Sequence, residues 1–144
     1  LQLISAWPEN LLALEIQIQN FGNEELSVLP KTLTSLLITT LRVGVFDDTS
    51  ASLLPRRLLE FRLLQNSMSF GAPPFPPLPS LPPKLEHLQL GFSSLSDVAL
   101  ASFPATLKSL VVFRTENGLT MQDVVQQRPS LEFRVDKSHV AGLN

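Results

Sequence analysis

The chain has 144 residues, 44% hydrophobic and 17% charged, with 11 Lys+Arg against 13 Asp+Glu and a formal net charge of −2. A single domain of that length can bury a sizeable core, and its apolar fraction is too high for a chain that stays disordered. The near-neutral balance gives no basic footprint for nucleic acid, no apolar run approaches the ~18 residues of a membrane helix, and the absence of cysteine excludes disulfides, iron–sulfur clusters and thiolate chemistry.

Leucine is in large excess, and 12 prolines stand against 6 glycines. Such a bias calls for a search for repetition. An apolar residue followed by proline recurs at Trp7-Pro8, Leu29-Pro30, Leu54-Pro55, Leu81-Pro82 and Phe103-Pro104, with an echo at Arg128-Pro129. These prolines are nearly evenly spaced, at a period within the roughly 20–50 residues of repeat arrays. After each of the first five, apolar side chains fall at offsets +3, +6 and +8: Leu11/Leu14/Ile16, Leu33/Leu36/Ile38, Leu58/Phe61/Leu63, Leu85/Leu88/Leu90 and Leu107/Leu110/Val112. The last two members of each triplet have the period of two of a strand with one buried face.

This unit, Pro-x-x-Leu-x-x-Leu-x-Leu, resembles the leucine-rich repeat, and its opening is similar to the FNIP-type subclass. The resemblance covers residues 7 to about 135. It implies an α/β leucine-rich repeat solenoid of about five to six coils, one domain over residues 1–144. A curved parallel sheet would line the concave side, with short helices and irregular, proline-rich crossovers on the convex side. The family's Asn position is filled here by Gln19, Leu41, Asn66, Ser93 and Thr115. Only Asn66 matches, so an asparagine ladder is not expected and the coils should be irregular.

Taken in chain order, Ile4-Ser5-Ala6-Trp7-Pro8 aligns with Leu100-Ala101-Ser102-Phe103-Pro104, so the chain opens as if inside the return segment of an earlier repeat and reads as a stretch of a longer array. A short helix is expected at Asn23-Glu24-Glu25-Leu26, and a weaker one over residues 47–53. Residues 72–83 hold seven of the twelve prolines and cannot be helical. This third crossover should run extended, with Phe75 and Leu78 covering the core, and Pro79-Ser80-Leu81-Pro82-Pro83-Lys84 also fits the P-x-x-P-x-Lys pattern read by SH3-type grooves. Ser96 and Thr120 are the expected caps of two further helices, with Asp123 in the first turn and Leu119 stapled to Val124. In each return the residue before proline is pushed out of helix and back towards the sheet. Leu131-Glu132-Phe133-Arg134-Val135 alternates as a strand at the wrong offset from Pro129; it is either a last coil or the first departure from the array. Residues 136–144 read as a tail.

No constellation suggests catalysis. His87 falls on the exposed side of a strand without a second ligand at metal spacing, and His139 sits in the tail with Asp136 and Ser138 but without an orienting scaffold. Glu24-Glu25 and Asp47-Asp48 suit the positive ends of helices. All glycines are isolated and no Asn-x-Ser/Thr sequon occurs. No enzymatic activity, cofactor or metal is expected, and the lack of cysteine and sequons leans the reading towards the cytoplasm.

Side chains at offsets +5, +7 and +9 point away from the core. The middle column is Glu15, Leu37, Arg62, Gln89 and Val111; beside it run Ala13, Ser35, Glu60, His87 and Ser109, then Gln17, Thr39, Leu64, Gly91 and Phe113. Leu37, Leu64, Val111 and Phe113 are large apolar groups where water is expected, which marks a contact surface. The resemblance implies a protein–protein interaction module with this concave face, centred on Glu15, Leu37, Glu60, Arg62, Leu64, His87, Gln89, Val111 and Phe113, meeting a protein partner rather than nucleic acid or membrane. The alternatives are a structural scaffold segment of a larger assembly and the substrate-recognition arm of a larger enzyme.

Overall fold

The computed structural model describes residues 8, 10–43, 46–65, 76–115 and 120–135. Among them, strands β1 (Ala13–Phe21), β2 (Ser35–Val43), β3 (Glu60–Gln65), β4 (His87–Leu95), β5 (Ser109–Thr115) and β6 (Glu132–Val135) alternate with helices α1 (Asn23–Ser27), α2 (Asp48–Leu53), α3 (Asp97–Ser102) and α4 (Met121–Gln127). The strands form one sheet in chain order, β1-β2-β3-β4-β5-β6. Every neighbouring pair is parallel. A described helix stands in each crossover except the one from β3 to β4, whose residues 66–75, including Asn66 and Phe75, lie outside the described residues.

The register places Leu14, Leu36, Phe61, Leu88 and Leu110, all at offset +6, beside one another, and Phe133 of β6 completes the row. Ile16, Ile38, Leu63, Leu90 and Val112 form the parallel +8 row. From Leu36 and Ile38 onwards these side chains are at most 1% exposed through Val112. A single short strand cannot hide such residues. Its neighbours hide them, and the helices close the far side with Leu26, Ala51, Ala99, Leu100 and Val124. Phe46 stacks on Phe61 with ring centroids 6.1 Å apart.

Short helices of five to seven residues are too brief to persist alone and depend on caps and packing. Ser96 Oγ accepts the Ala99 amide at 3.2 Å. Thr120 and Asp123 form a reciprocal box, Thr120 Oγ1 accepting from Asp123 N at 3.1 Å and Asp123 Oδ2 accepting from Thr120 N at 2.8 Å. Asp47 and Ser50 do the same for α2 at 3.2 Å in both directions. The first helix starts at Asn23 with Gly22 as its cap, and Glu25 Oε1 accepts the Gly22 amide at 2.7 Å. Leu54 and Phe103, each preceding a proline, close α2 and α3 with ψ of 145° and 152°, the extended conformation that X-Pro imposes. Leu119 lies outside the described residues.

Backbone bonds fix the stacking at the start of each strand. The +4 carbonyl of each unit accepts amides from the next: Thr34 N to Leu12 O (2.7 Å), Leu59 N to Thr34 O (2.8 Å), Glu86 N to Leu59 O (2.8 Å), Lys108 N to Glu86 O (2.7 Å) and Glu132 N to Lys108 O (2.8 Å). Threonines at +2 reinforce it, Thr32 Oγ1 donating to Leu11 O at 2.7 Å and Thr106 Oγ1 to Leu85 O at 2.8 Å. The carbonyls of Pro8, Pro55, Pro82 and Pro104 accept from the residue three positions on, and in the last unit Arg128 O accepts from Leu131 N. Arg128, not Pro129, therefore holds the turn position, and the final strand begins one position earlier after it than in the other units. This resolves the offset of Leu131–Val135: Glu132–Val135 is a sixth strand of the same sheet.

The proline-rich crossover is held by its polar groups. Asp48 accepts from Ser80 N and Ser80 Oγ, both at 2.8 Å, Arg56 Nη1 donates to Ser80 O at 2.9 Å, and Leu78 N donates to Ser102 Oγ at 2.8 Å. Leu78 is fully buried, as expected, and Leu81 nearly so. Pro82 is buried too, so the P-x-x-P-x-Lys segment turns one of its three prolines into the protein rather than towards a groove.

Replacing Leu88 with Asp would leave an unpaired charge in the centre of the +6 row. The variant is expected to lose cooperative thermal unfolding, and Leu88→Ala to cost about 2–5 kcal/mol in denaturant titration. An unchanged melt for Leu88→Asp would contradict the register.

Candidate functional site

Because successive strand residues alternate faces, the same register that builds the core sets the other side chains in rows on the helix-free face. Along its first row stand Ala13, Ser35, Glu60, His87, Ser109 and Glu132; along the central row stand Glu15, Leu37, Arg62, Gln89, Val111 and Arg134. Seven of the nine anticipated residues, Glu15, Leu37, Glu60, Arg62, His87, Gln89 and Val111, thus lie in two adjacent rows. Leu64 lies one row further, between Thr39 and Gly91.

The third row does not continue as expected. Leu90 pairs with Val112 but the next described pair is Ser94 with Arg114, so Gly91, Phe92 and Ser93 face the single residue Phe113. This bulge breaks the simple alignment of Gly91 with Phe113. A bulge leaves residues unpaired and re-aims the strand, which period counting cannot see. The Phe113 side chain lies outside what the structure describes.

The described apolar members of the face are not fully open to water. Val111 is only 9% exposed, and Leu37 and Leu64 are half-buried. Parallel strands lie about 4.8 Å apart, so a long side chain on one strand covers a shorter one on the next. Val111 has Gln89 and Arg134 as its neighbours in the row, and Leu37 has Glu15 and Arg62. The expected exposed patch is instead an apolar floor between polar walls.

Arg62 is the centre of this relief. Its Nε lies 3.2 Å from Glu60 Oε2, and Glu60 Oε1 accepts from Ser35 Oγ at 3.1 Å. On one side of Arg62 is a depression of about 330 Å³ bounded by Ala13, Glu15, Ser35, Leu37 and Glu60. On the other is a smaller one of about 120 Å³ bounded by His87, Gln89, Ser109, Val111 and Arg134. His87 is exposed, as its offset suggests; His139 lies outside the described residues. Among the described residues no three His, Asp or Glu side chains gather as a metal site, and no helix is long and apolar enough to cross a membrane.

Arg134 belongs to this face and is missed by the offset rule. The signal is present in the alternation of Leu131, Phe133 and Val135: aligning Phe133 with Leu110, instead of counting from Pro129, places Arg134 beside Val111. Two other arginines act inside the fold. Arg56 donates to Leu54 O and Ser80 O at 3.1 and 2.9 Å, and Arg128 to Pro104 O at 2.8 Å and to Phe103 O. Partial burial lowers both guanidinium pKa values from the usual range, and both groups stay charged at any working pH. The acidic pairs sit at helix starts as expected, and Asp48 additionally ties the crossover through Ser80.

No known family model, curated protein or solved structure matches the chain.

Since the Arg62–Glu60 pair is half-exposed, Arg62→Ala should change stability by no more than ~1 kcal/mol. Val111→Asp sets a charge in a covered position and should cost roughly 1–3 kcal/mol. Denaturant titration of both variants checks the contrast; equal, negligible effects would place Val111 in water.

Proposed function

We propose that the chain is a leucine-rich-repeat-type solenoid, concave on its helix-free face, and that this face binds a protein partner. The observation that carries the reading is the central row. Leu37, Arg62, Gln89, Val111 and Arg134 stand side by side on consecutive strands with depressions on either side of Arg62. Arginine set beside apolar floor has the composition of interface hot spots. The relief supports an extended surface rather than a pocket for a small ligand, since both depressions are open, the larger of mixed polar and apolar lining and the smaller mainly polar.

The test is an affinity measurement on a captured and identified partner. Arg62→Glu reverses the central charge without touching the core rows and should weaken binding by about 1–2 kcal/mol or more, with the circular dichroism melt retained. Gln126→Glu, on the exposed side of α4, should leave affinity unchanged. Equal affinity for Arg62→Glu and the unaltered chain would remove the sheet face as the binding surface.

A further inference from the structure

The two depressions beside Arg62 differ in the charges that surround them. Around the larger stand the carboxylates of Glu15 and Glu60, and among the described residues Arg62 is the one cation of its lining. The smaller has Arg62 on one side and Arg134 on the other, with His87, Gln89 and Ser109 between them and Glu60 on the rim. Glu60 is already engaged at both oxygens. Its Oε2 lies 3.2 Å from Arg62 Nε, and its Oε1 accepts from Ser35 Oγ at 3.1 Å.

The donors around the smaller depression are not used up in this way. Arg62 meets Glu60 through Nε, and its guanidinium has no other partner among the described residues. The side chains of His87, Gln89 and Ser109 likewise have no hydrogen-bond partner among the described residues. These four groups lie on β3, β4 and β5, each of which has a strand on both sides. Their availability therefore does not depend on where the sheet ends.

Guanidinium nitrogens can only donate, while imidazole, amide and hydroxyl groups each supply a donor as well. Donors gathered over the covered side chain of Val111, 9% exposed, call for a negatively charged acceptor. Charge-assisted bonds are the strong ones, and they strengthen where water is thinned. A volume of about 120 Å³ suits the end of one side chain rather than a helix, whose diameter is ~10 Å. Glu60 on the rim opposes a phosphate of nearly two charges more than a carboxylate of one. Resting on the reading of the sheet face as a protein-binding surface, we propose that this depression takes an aspartate or glutamate side chain of the partner. Arg62 and Arg134 are its ionic anchors, and His87, Gln89 and Ser109 donate to the same carboxylate.

Random-sequence peptide libraries with one fixed central residue test this, the fixed residue being glutamate, glutamine, lysine or phosphoserine. Retention on the immobilised full chain is the readout. The glutamate library should be held about tenfold more strongly than the glutamine library, and the lysine library least. Arg62→Glu and Arg134→Glu should each remove the preference for glutamate and shift it towards lysine. Glu15→Gln, beside the larger depression, should leave it unchanged. Both arginines are exposed, so circular dichroism melts of these variants should match the unaltered chain; if Arg62→Glu does not fold, Arg134→Glu carries the test. Equal retention of glutamate and glutamine, phosphoserine held above glutamate, or a glutamate preference that survives both arginine variants would overturn the proposal, as would retention of no library. Retention indifferent to the fixed residue yet lost in Arg62→Glu would overturn it and leave the sheet face standing as a binding surface, so the two readings fail separately.

Discussion

The constraint on which this structure depends is that no unit can bury its own leucines. A short strand with two inward apolar side chains offers one half of a core, and the other half comes from the strands beside it and the short helix behind it. Leu36, Phe61, Leu88 and Leu110 are hidden because they stand in one row. That row exists only if all strands run parallel in a common register. Hydrogen bonding enforces the register independently of side chains, since the +4 carbonyl of each unit takes amides from the next. Leu14 and Ile16 of the first unit, which has a described neighbour on one side only, are half-buried.

Polar groups then tie together what the leucines align. Ser50 Oγ donates to Asn23 Oδ1 at 2.6 Å across α1 and α2, Asp48 holds Ser80 in the proline-rich crossover, and Gln127 donates to Asp97 between α4 and α3. Arg56 and Arg128 reach the carbonyls of adjacent turns. These contacts lie on the helical side. The opposite face is left free to carry Arg62, Arg134, Glu15 and the open relief between them, so the division of labour between the two faces follows directly from strand alternation.

Most of the architecture is legible in the spacing of proline and leucine, because a near-constant interval between prolines and an alternation of period two both report on backbone geometry. The caps Ser96 and Thr120 are legible because a cap is a local bond, made within a single turn. Three features are not. The place of the last strand in the frame, though not its alternation, hides behind Pro129 because the turn position is defined by a backbone carbonyl, which any residue supplies, and Arg128 supplies it here. The β4 bulge at Gly91–Ser93 changes the count on one strand only, and nothing in a periodic pattern marks it. Burial of Val111 arises beside Gln89 and Arg134, side chains on two other strands that only the fold brings together. The rows of the candidate face are therefore readable by position, while their exposure and their far end are not.

The central claim is the common parallel register of consecutive units, and backbone and side-chain nuclear Overhauser contacts measure it directly. Cross-strand contacts are expected to link Leu36 to Phe61, Phe61 to Leu88 and Leu88 to Leu110 in the parallel pattern, with none joining Leu36 to Leu88. An antiparallel pattern, or direct contacts that skip a strand, would contradict it.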